Sequence, residues 1–291
     1  MFVINHLLPD HTIFTLKISI LKLTDLYPHE MVVPHLLEKL VKEIKRSSIL
    51  MNPIIVDERT RVILDGMHRY YALRELGYEY IVACLVRYED PHIKVRNWYR
   101  EIWLEGPIDD MVSKISQEYC TEKCNIDVAM EELNSKNAIA AIMLKQRKSA
   151  ILILPEETLS IKALYDEVYR LERILTTTFR AKITYQADAL ALRESGANAI
   201  MATPPIAKKD VVEVALRGEV FPPKTTRHII PARPLFVNVP LKLLSRTSED
   251  LDLKERNKIL NIILRQRNLM KIRGGINIDR FYAEDHLYVF I

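Results

Sequence analysis

Apolar and polar residues alternate from Ile13 to Leu23, the period-two pattern of a half-buried strand. The period then lengthens. Leu36, Leu37, Leu40, Val41 and Ile44 recur every three or four positions and predict a helix with one apolar face. Asn52-Pro-Ile-Ile-Val-Asp57, a turn at Glu58-Arg-Thr60 and Arg61-Val-Ile-Leu64 predict a hairpin. Its second strand runs into Asp65-Gly66, where the pattern turns helical: Ala72, Leu73 and Leu76 form the apolar face and Gly77 the stop. A third strand is predicted at Ile81–Val86, after Tyr78-Glu-Tyr80.

Beyond this unit, Lys94–Trp103 is basic and aromatic, and on packing grounds alone reads as a helix laid on the sheet. Gly106-Pro107 marks a boundary. A helical pattern then runs from Ile108 to about Cys124. Asn137–Lys145 is apolar, Lys148–Pro155 reads as a buried strand, Ser160–Thr176 as an amphipathic helix and Ala187–Ala199 as a helix. No catalytic constellation stands out across 108–200, so this stretch is expected to be a smaller domain closing on the first. Met201–Pro205 is a rigid link, and Lys208–Arg217 a helix closed by Gly218. Pro234–Pro240 is a returning edge strand. Residues 246–291 form a tail, a helix over Glu249–Arg267 and then a hairpin-like end around Gly274-Gly275 with a strand at His286–Ile291. That tail either docks on the body or supports a homodimer.

Composition narrows the class. The 291 residues are 48% hydrophobic and 27% charged with a net charge of +4, an ordinary globular balance that permits small anionic ligands and argues only weakly for nucleic acid. No apolar run reaches membrane-spanning length, and the start lacks the features of a signal peptide, so the expected location is cytoplasmic. Three cysteines make no disulfide framework. Cys120 and Cys124, four apart, would share a helix face, but the further ligands of a metal site are missing around them.

Two stretches carry candidate chemistry. Asp65-Gly66 sits where a strand meets a helix N-terminus, whose amides and dipole favour an anion. Gly66 permits close approach, and His68 and Arg69 lie in the first turn to add charge-assisted bonds to phosphate. Pro222-Pro-Lys-Thr-Thr-Arg-His228 is an extended loop with three cations and two hydroxyls, an inventory that suits phosphate or carboxylate.

The order helix, NPIIVD, hairpin, ILDGMHRYYALRELG, IVACLV resembles the ParB/sulfiredoxin-like nucleotide-binding fold. The turn Gly66-Met-His-Arg69 stands where sulfiredoxins carry G-C-H-R and ParB proteins G-E-R-R; Met67 supplies no thiolate, which excludes sulfiredoxin chemistry. The chain is more similar to the archaeal free L-serine kinases, whose turn reads D-G-H-H-R. Pro28-His29-Glu30, Asn97-Trp98-Tyr99-Arg100 and Pro222–His228 support that resemblance, which covers about 1–105 and 206–245. It implies an α+β protein: a ParB/sulfiredoxin-like nucleotide- and serine-binding domain (1–105 plus 206–245), a second, smaller α/β domain (106–205) and a C-terminal helical tail (246–291). It implies phosphoryl transfer from ADP or ATP to L-serine with Mg²⁺, giving O-phospho-L-serine for cysteine biosynthesis. The partners are thus L-serine and an adenine nucleotide. Glu30 would be the catalytic base, and Asp65 would hold the substrate hydroxyl or Mg²⁺. Gly66, Met67, His68, Arg69 and Val33 would bind the nucleotide. Asn97, Trp98, Lys224, Thr225, Thr226, Arg227 and His228 would bind substrate, with Arg227 and His228 also completing the phosphate cradle. The rival reading is a ParB-like nucleotide-dependent binding or regulatory protein without kinase activity, which leaves Glu30 and Asn97-Trp98 without purpose.

Overall fold

Tyr80–Val86 is buried at all seven positions, and it occupies the centre of a five-stranded sheet. Residues 1–144, 149–187, 195–246, 251–278 and 281–291 are described in this computed structural model. They divide into two compact units, the first made of 1–94, 212–220 and 228–291, the second of 95–211 and 221–227.

In the first unit the sheet order is Phe2–Leu7, Ile13–Lys22, Tyr80–Val86, Ile54–Asp57, Ile63–Asp65. Ile54–Asp57 runs parallel to the central strand, and every other neighbouring pair is antiparallel. The helix Pro34–Ser47 supplies the crossover between Ile13–Lys22 and the hairpin, and it packs on the helix Met67–Glu75. The predicted strand–turn–helix at 62–77 is present, with Gly77 at φ 76° ending the helix as its composition requires. The N-terminal strand Phe2–Leu7 was not predicted. Only Ile4 and His6 point into the core, too short an alternation to stand out.

The expected tail is part of this first unit. Strand Phe2–Leu7 covers its neighbour only as far as Ile18, which leaves the edge bare at Ile20. Asn257, on the helix Leu253–Arg265, fills that gap: its amide accepts from the Ile20 N–H at 2.8 Å and donates to the Ile20 carbonyl at 3.0 Å. Further on, His286–Phe290 lies between Ala232–Leu235, parallel, and Leu269–Arg273, antiparallel. The described residues of this stretch lie in the first unit, with Leu260, Leu264, Leu287 and Phe290 buried.

The second unit is an antiparallel six-stranded sheet ordered Lys182–Gln186, Tyr99–Trp103, Ala199–Ala202, Ala140–Leu144, Ser149–Leu154, Cys120–Asn125. Helices Ile108–Glu118, Ile126–Asn134 and Ile161–Thr178 belong to it. Two expectations are corrected here. The helix from Ile108 stops at Glu118, and Cys120 and Cys124 lie on a strand paired with Ser149–Leu154. Lys94–Trp103 is extended, because Tyr99–Trp103 is held between two strands of the sheet. That strand lies in the second unit. The predicted helix at 187–199 falls largely outside the described residues. No described helix is long and apolar enough to cross a membrane.

Candidate functional site

The strand Ile63–Asp65 leaves the core and turns at Gly66, whose φ is 98°. A Cβ at Gly66 would stand 2.5 Å from Ile54 Cγ2, so both backbone conformation and packing require glycine. The helix Met67–Glu75 starts there with no side-chain cap, the kind of end whose amides suit an anionic acceptor. Met67 is buried, so its side chain is core and it offers the turn only its backbone. His68 Nε2 accepts the Val33 N–H at 3.2 Å, which ties the turn to the start of helix Pro34–Ser47 and keeps that nitrogen unprotonated. Arg69 donates to Asp65 Oδ2 at 2.8 Å and to the carbonyls of Asn52 and Pro53 at 3.0 and 2.7 Å. Its guanidinium thus braces the turn. A second guanidinium, Arg233, reaches the same Asp65 oxygen at 2.6 Å.

Pro28-His29-Glu30 follows a backbone pairing of Tyr27 with the Arg61–Ile63 strand: Tyr27 N–H donates to the Arg61 carbonyl, and Ile63 N–H to that of Tyr27. His29 is buried and hydrogen-bonds through Nδ1 to the Ile63 carbonyl at 2.6 Å. Burial lowers its pKa to about 4 against the opposing pull of that bond, so the ring is neutral and Nδ1 is the donor. The His228 ring stands edge-on to His29 at 5.3 Å, and His228 Nε2 lies 2.8 Å from the Tyr88 hydroxyl. His29, Tyr88 and His228 form one cluster, and Glu30 is the half-buried residue that directly follows it.

The second unit gathers the remaining candidates. Asn97 Nδ2 donates to the Thr203 carbonyl at 2.7 Å, and Trp98 Nε1 to the Thr226 carbonyl at 3.0 Å. Lys224 Nζ lies 5.1 Å from the Trp98 ring and the Arg227 guanidinium 5.6 Å from it, so two cations flank one indole. Beneath them Arg100, 1% exposed, pairs with Glu172 at 2.6 Å and donates to the carbonyls of Trp98 and Lys224. Thr225 is fully buried with no hydrogen-bond partner for its hydroxyl. The basic loop is thereby fastened to the strand Tyr99–Trp103. It is also shared: Lys224, Thr225, Thr226 and Arg227 lie in the second unit, His228 in the first.

Arg233, Glu284, Tyr88 and Glu172 were not singled out from the sequence, and Arg100 only as part of a motif. Arg100 stands inside Asn97-Trp98-Tyr99-Arg100. Glu172 sits on the buried side of an amphipathic helix, where an acid signals a buried cation. Nothing local marks Arg233, an arginine between apolar neighbours, as the partner of Asp65.

Among the described residues no three His, Cys, Asp or Glu side chains gather as a metal site. Asp65 Oδ2 already serves two guanidiniums, a setting that favours anions over a divalent cation. Cys84 is buried and its thiol is pushed up to about 12 by desolvation, so it is chemically quiet.

The hairpin delivers Asp-Gly-x-His-Arg to a helix N-terminus beside a parallel strand pair, and the chain is 30% identical over 208 residues to a ParB-like protein of Sulfolobus acidocaldarius, 70% of this chain and 86% of the relative. An ATP-dependent L-serine kinase of Staphylothermus marinus is 32% identical over 239 residues, 75% of this chain and 88% of the relative. An ADP-dependent L-serine kinase of Thermococcus kodakarensis is 28% identical over 242 residues, 81% of this chain and 97% of the relative. The solved structure of a free serine kinase, as an E30A variant with ADP, matches with a TM-score of 0.66 at 23% identity, covering 78% of this chain and 93% of the other. No protein-family model matches. The chain belongs to the L-serine kinase family.

Proposed function

We propose that this protein is a free L-serine kinase, transferring a phosphoryl group from ATP or ADP to the serine hydroxyl to give O-phospho-L-serine. The observation that carries the proposal is the Gly66 turn, an uncapped helix N-terminus next to a carboxylate held by two guanidiniums, in a chain of this family. Phosphoryl transfer needs positioning and charge neutralisation more than covalent chemistry. The backbone of Gly66, Met67, His68 and Arg69 receives the donor phosphates, while His68 and Arg69 keep the turn in shape. Val33 contacts the base. Asn97, Trp98, Lys224, Thr225 and Thr226 bind the amino acid, the Lys224 and Arg227 cations suiting its carboxylate. Arg227 and His228 add to phosphate recognition.

Glu30 is the base that accepts the serine proton. Asp65 is engaged by two arginines and orients the turn, which leaves Glu30 as the carboxylate for proton transfer. Mg²⁺ arrives with the nucleotide, held mainly by phosphate oxygens as this ion prefers. The product is proposed to enter cysteine biosynthesis in the cytoplasm.

The test is incubation with Mg²⁺, L-serine and either ATP or ADP, followed by mass spectrometry. O-phosphoserine is the expected product, and the accompanying ADP or AMP identifies the donor. Its absence with both nucleotides, from folded protein, sinks the proposal.

A further inference from the structure

Arg233 is 4% exposed and spans two carboxylates: its Nη1 donates to Asp65 Oδ2 at 2.6 Å and its Nε to Glu284 Oε1 at 2.5 Å. Glu284 lies near the end of the chain, in the stretch that the family resemblance does not explain. We propose that Arg233 and Glu284 are positioning residues of the phosphate turn, the Glu284 carboxylate orienting the Arg233 fork so that Arg233 and Arg69 together fix Asp65 one residue ahead of Gly66. This rests on the nucleotide-binding reading of that turn.

The support behind Glu284 is built as tightly as the turn. A Cβ at Gly274 would fall 1.6 Å from the Glu284 carbonyl oxygen, so only glycine fits there. Gly274 N–H donates to the Asp285 carbonyl at 3.0 Å and Gly275 N–H to that of Tyr282 at 2.8 Å, holding 282–285 against the 274–275 turn. The Tyr282 ring lies 5.9 Å from the Arg233 guanidinium. Burial opposes the charge on Arg233, and Asp65 and Glu284 more than offset it.

A buried carboxylate–guanidinium–carboxylate chain is a weak device for stability alone, since apolar replacements often do as well. Its geometry is specific instead. Arg69, Arg233, Asp65 and Glu284 are balanced in charge, so a carboxylate adjoining a phosphate site does not repel the phosphate. Arginine presents separate N–H groups to each carboxylate in a rigid plane, and lysine has no such fork.

The experiment compares the full chain with Arg233→Met, Arg233→Lys, Glu284→Gln and the Arg233→Met/Glu284→Gln double variant. It reads ADP and ATP affinity by calorimetry and the Asp65 carboxyl titration by carbon-detected NMR. In Arg233→Met the Asp65 midpoint should rise by about one unit or more, having lost one opposite charge. Nucleotide affinity should fall about tenfold, equivalent to about 1.4 kcal/mol. Arg233→Lys should restore the midpoint and not the affinity. Glu284→Gln should weaken binding on its own and add nothing to Arg233→Met, the signature of two residues acting through one contact. Should Arg233→Met fail to fold, Arg233→Lys and Glu284→Gln carry the comparison. An unchanged Asp65 midpoint in Arg233→Met, full affinity in Arg233→Lys, or additive losses in the double variant would each overturn the inference. Failure to make phosphoserine while binding nucleotide removes the kinase reading and leaves this one standing. If the unaltered protein binds neither nucleotide, the nucleotide-binding reading and this inference fall together.

Discussion

Glu30 follows a buried histidine whose Nδ1 is pinned to the Ile63 carbonyl, so the carboxylate is held by a rigid neighbour. Glu30→Gln keeps its size and hydrogen bonding and removes the proton acceptor. Turnover to phosphoserine should fall by about two to four orders of magnitude, with nucleotide affinity by calorimetry nearly unchanged. Full activity in that variant would return Glu30 to an ordinary solvated charge. Gly66→Ala puts a methyl 2.5 Å from Ile54 Cγ2 at a φ of 98°. It should cost about 1–3 kcal/mol in urea unfolding for the backbone strain alone, and should weaken ADP binding because the amides move. A Gly66→Ala protein as stable as the parent would mean the turn is looser than its packing implies. These residues were legible in the sequence because their chemistry is local: a glycine between a strand and a helix, a histidine and arginine one turn on. The partners of Arg69 were not. The Asn52 and Pro53 carbonyls become its acceptors only once the hairpin has folded.

At the scale of elements, Asn257 is a polar residue on an otherwise amphipathic helix, and it completes a strand edge that no strand covers. Asn257→Ala leaves the Ile20 N–H and carbonyl without that partner, a loss of about 1–3 kcal/mol for each buried group left unmade. Hydrogen exchange at the Ile20 amide should accelerate sharply, while that of Val82 in the central strand follows global unfolding only. Equal acceleration at both would show that the helix supports the whole sheet rather than one edge. The core strands and the helices Pro34–Ser47 and Ile161–Thr178 were readable from periodicity, since each buries one regular face. Cys120–Asn125 was not, because the helical period ahead of it runs on in composition and only pairing with Ser149–Leu154 makes it a strand. Lys94–Trp103 reads equally as a packed helix. Its conformation is decided by Lys182–Gln186 and Ala199–Ala202, about a hundred residues away, on either side of Tyr99–Trp103.

For the whole molecule, acid is the predictable stress. His29 is lowered to about 4 when folded against 6.5 as its ordinary value, so between those values the unfolded chain binds the extra proton. The stability due to its neutral burial is fully present above about pH 6.5 and is lost as pH falls toward 4, up to about 3 kcal/mol across the window. His6 and His286, also lowered by burial, add in the same direction; His92, raised first by its bond to Asp90, opposes them from a partly exposed position. Urea midpoints measured from pH 7 to 4 should decline through this range. A flat profile, or a His29 that titrates near 6.5 by NMR, would contradict the buried cluster. A change of pattern after Gly106 was legible in the sequence. The boundaries were not, because they depend on which sheet each strand joins, and the 246–291 stretch reads as an appendage when its apolar face is seen without Ile20 and Ala232–Leu235. The first unit is threaded from three stretches of chain, the last supplying both Asn257 and the strand His286–Phe290. On a ribosome working at about 5–20 residues per second, roughly 10–40 s separate the emergence of Lys94 from that of Phe290. During that interval the newborn sheet lacks Asn257 at its Ile20 edge and Asp65 has Arg69 but not Arg233, so a product released early carries an open strand edge that invites pairing with another chain.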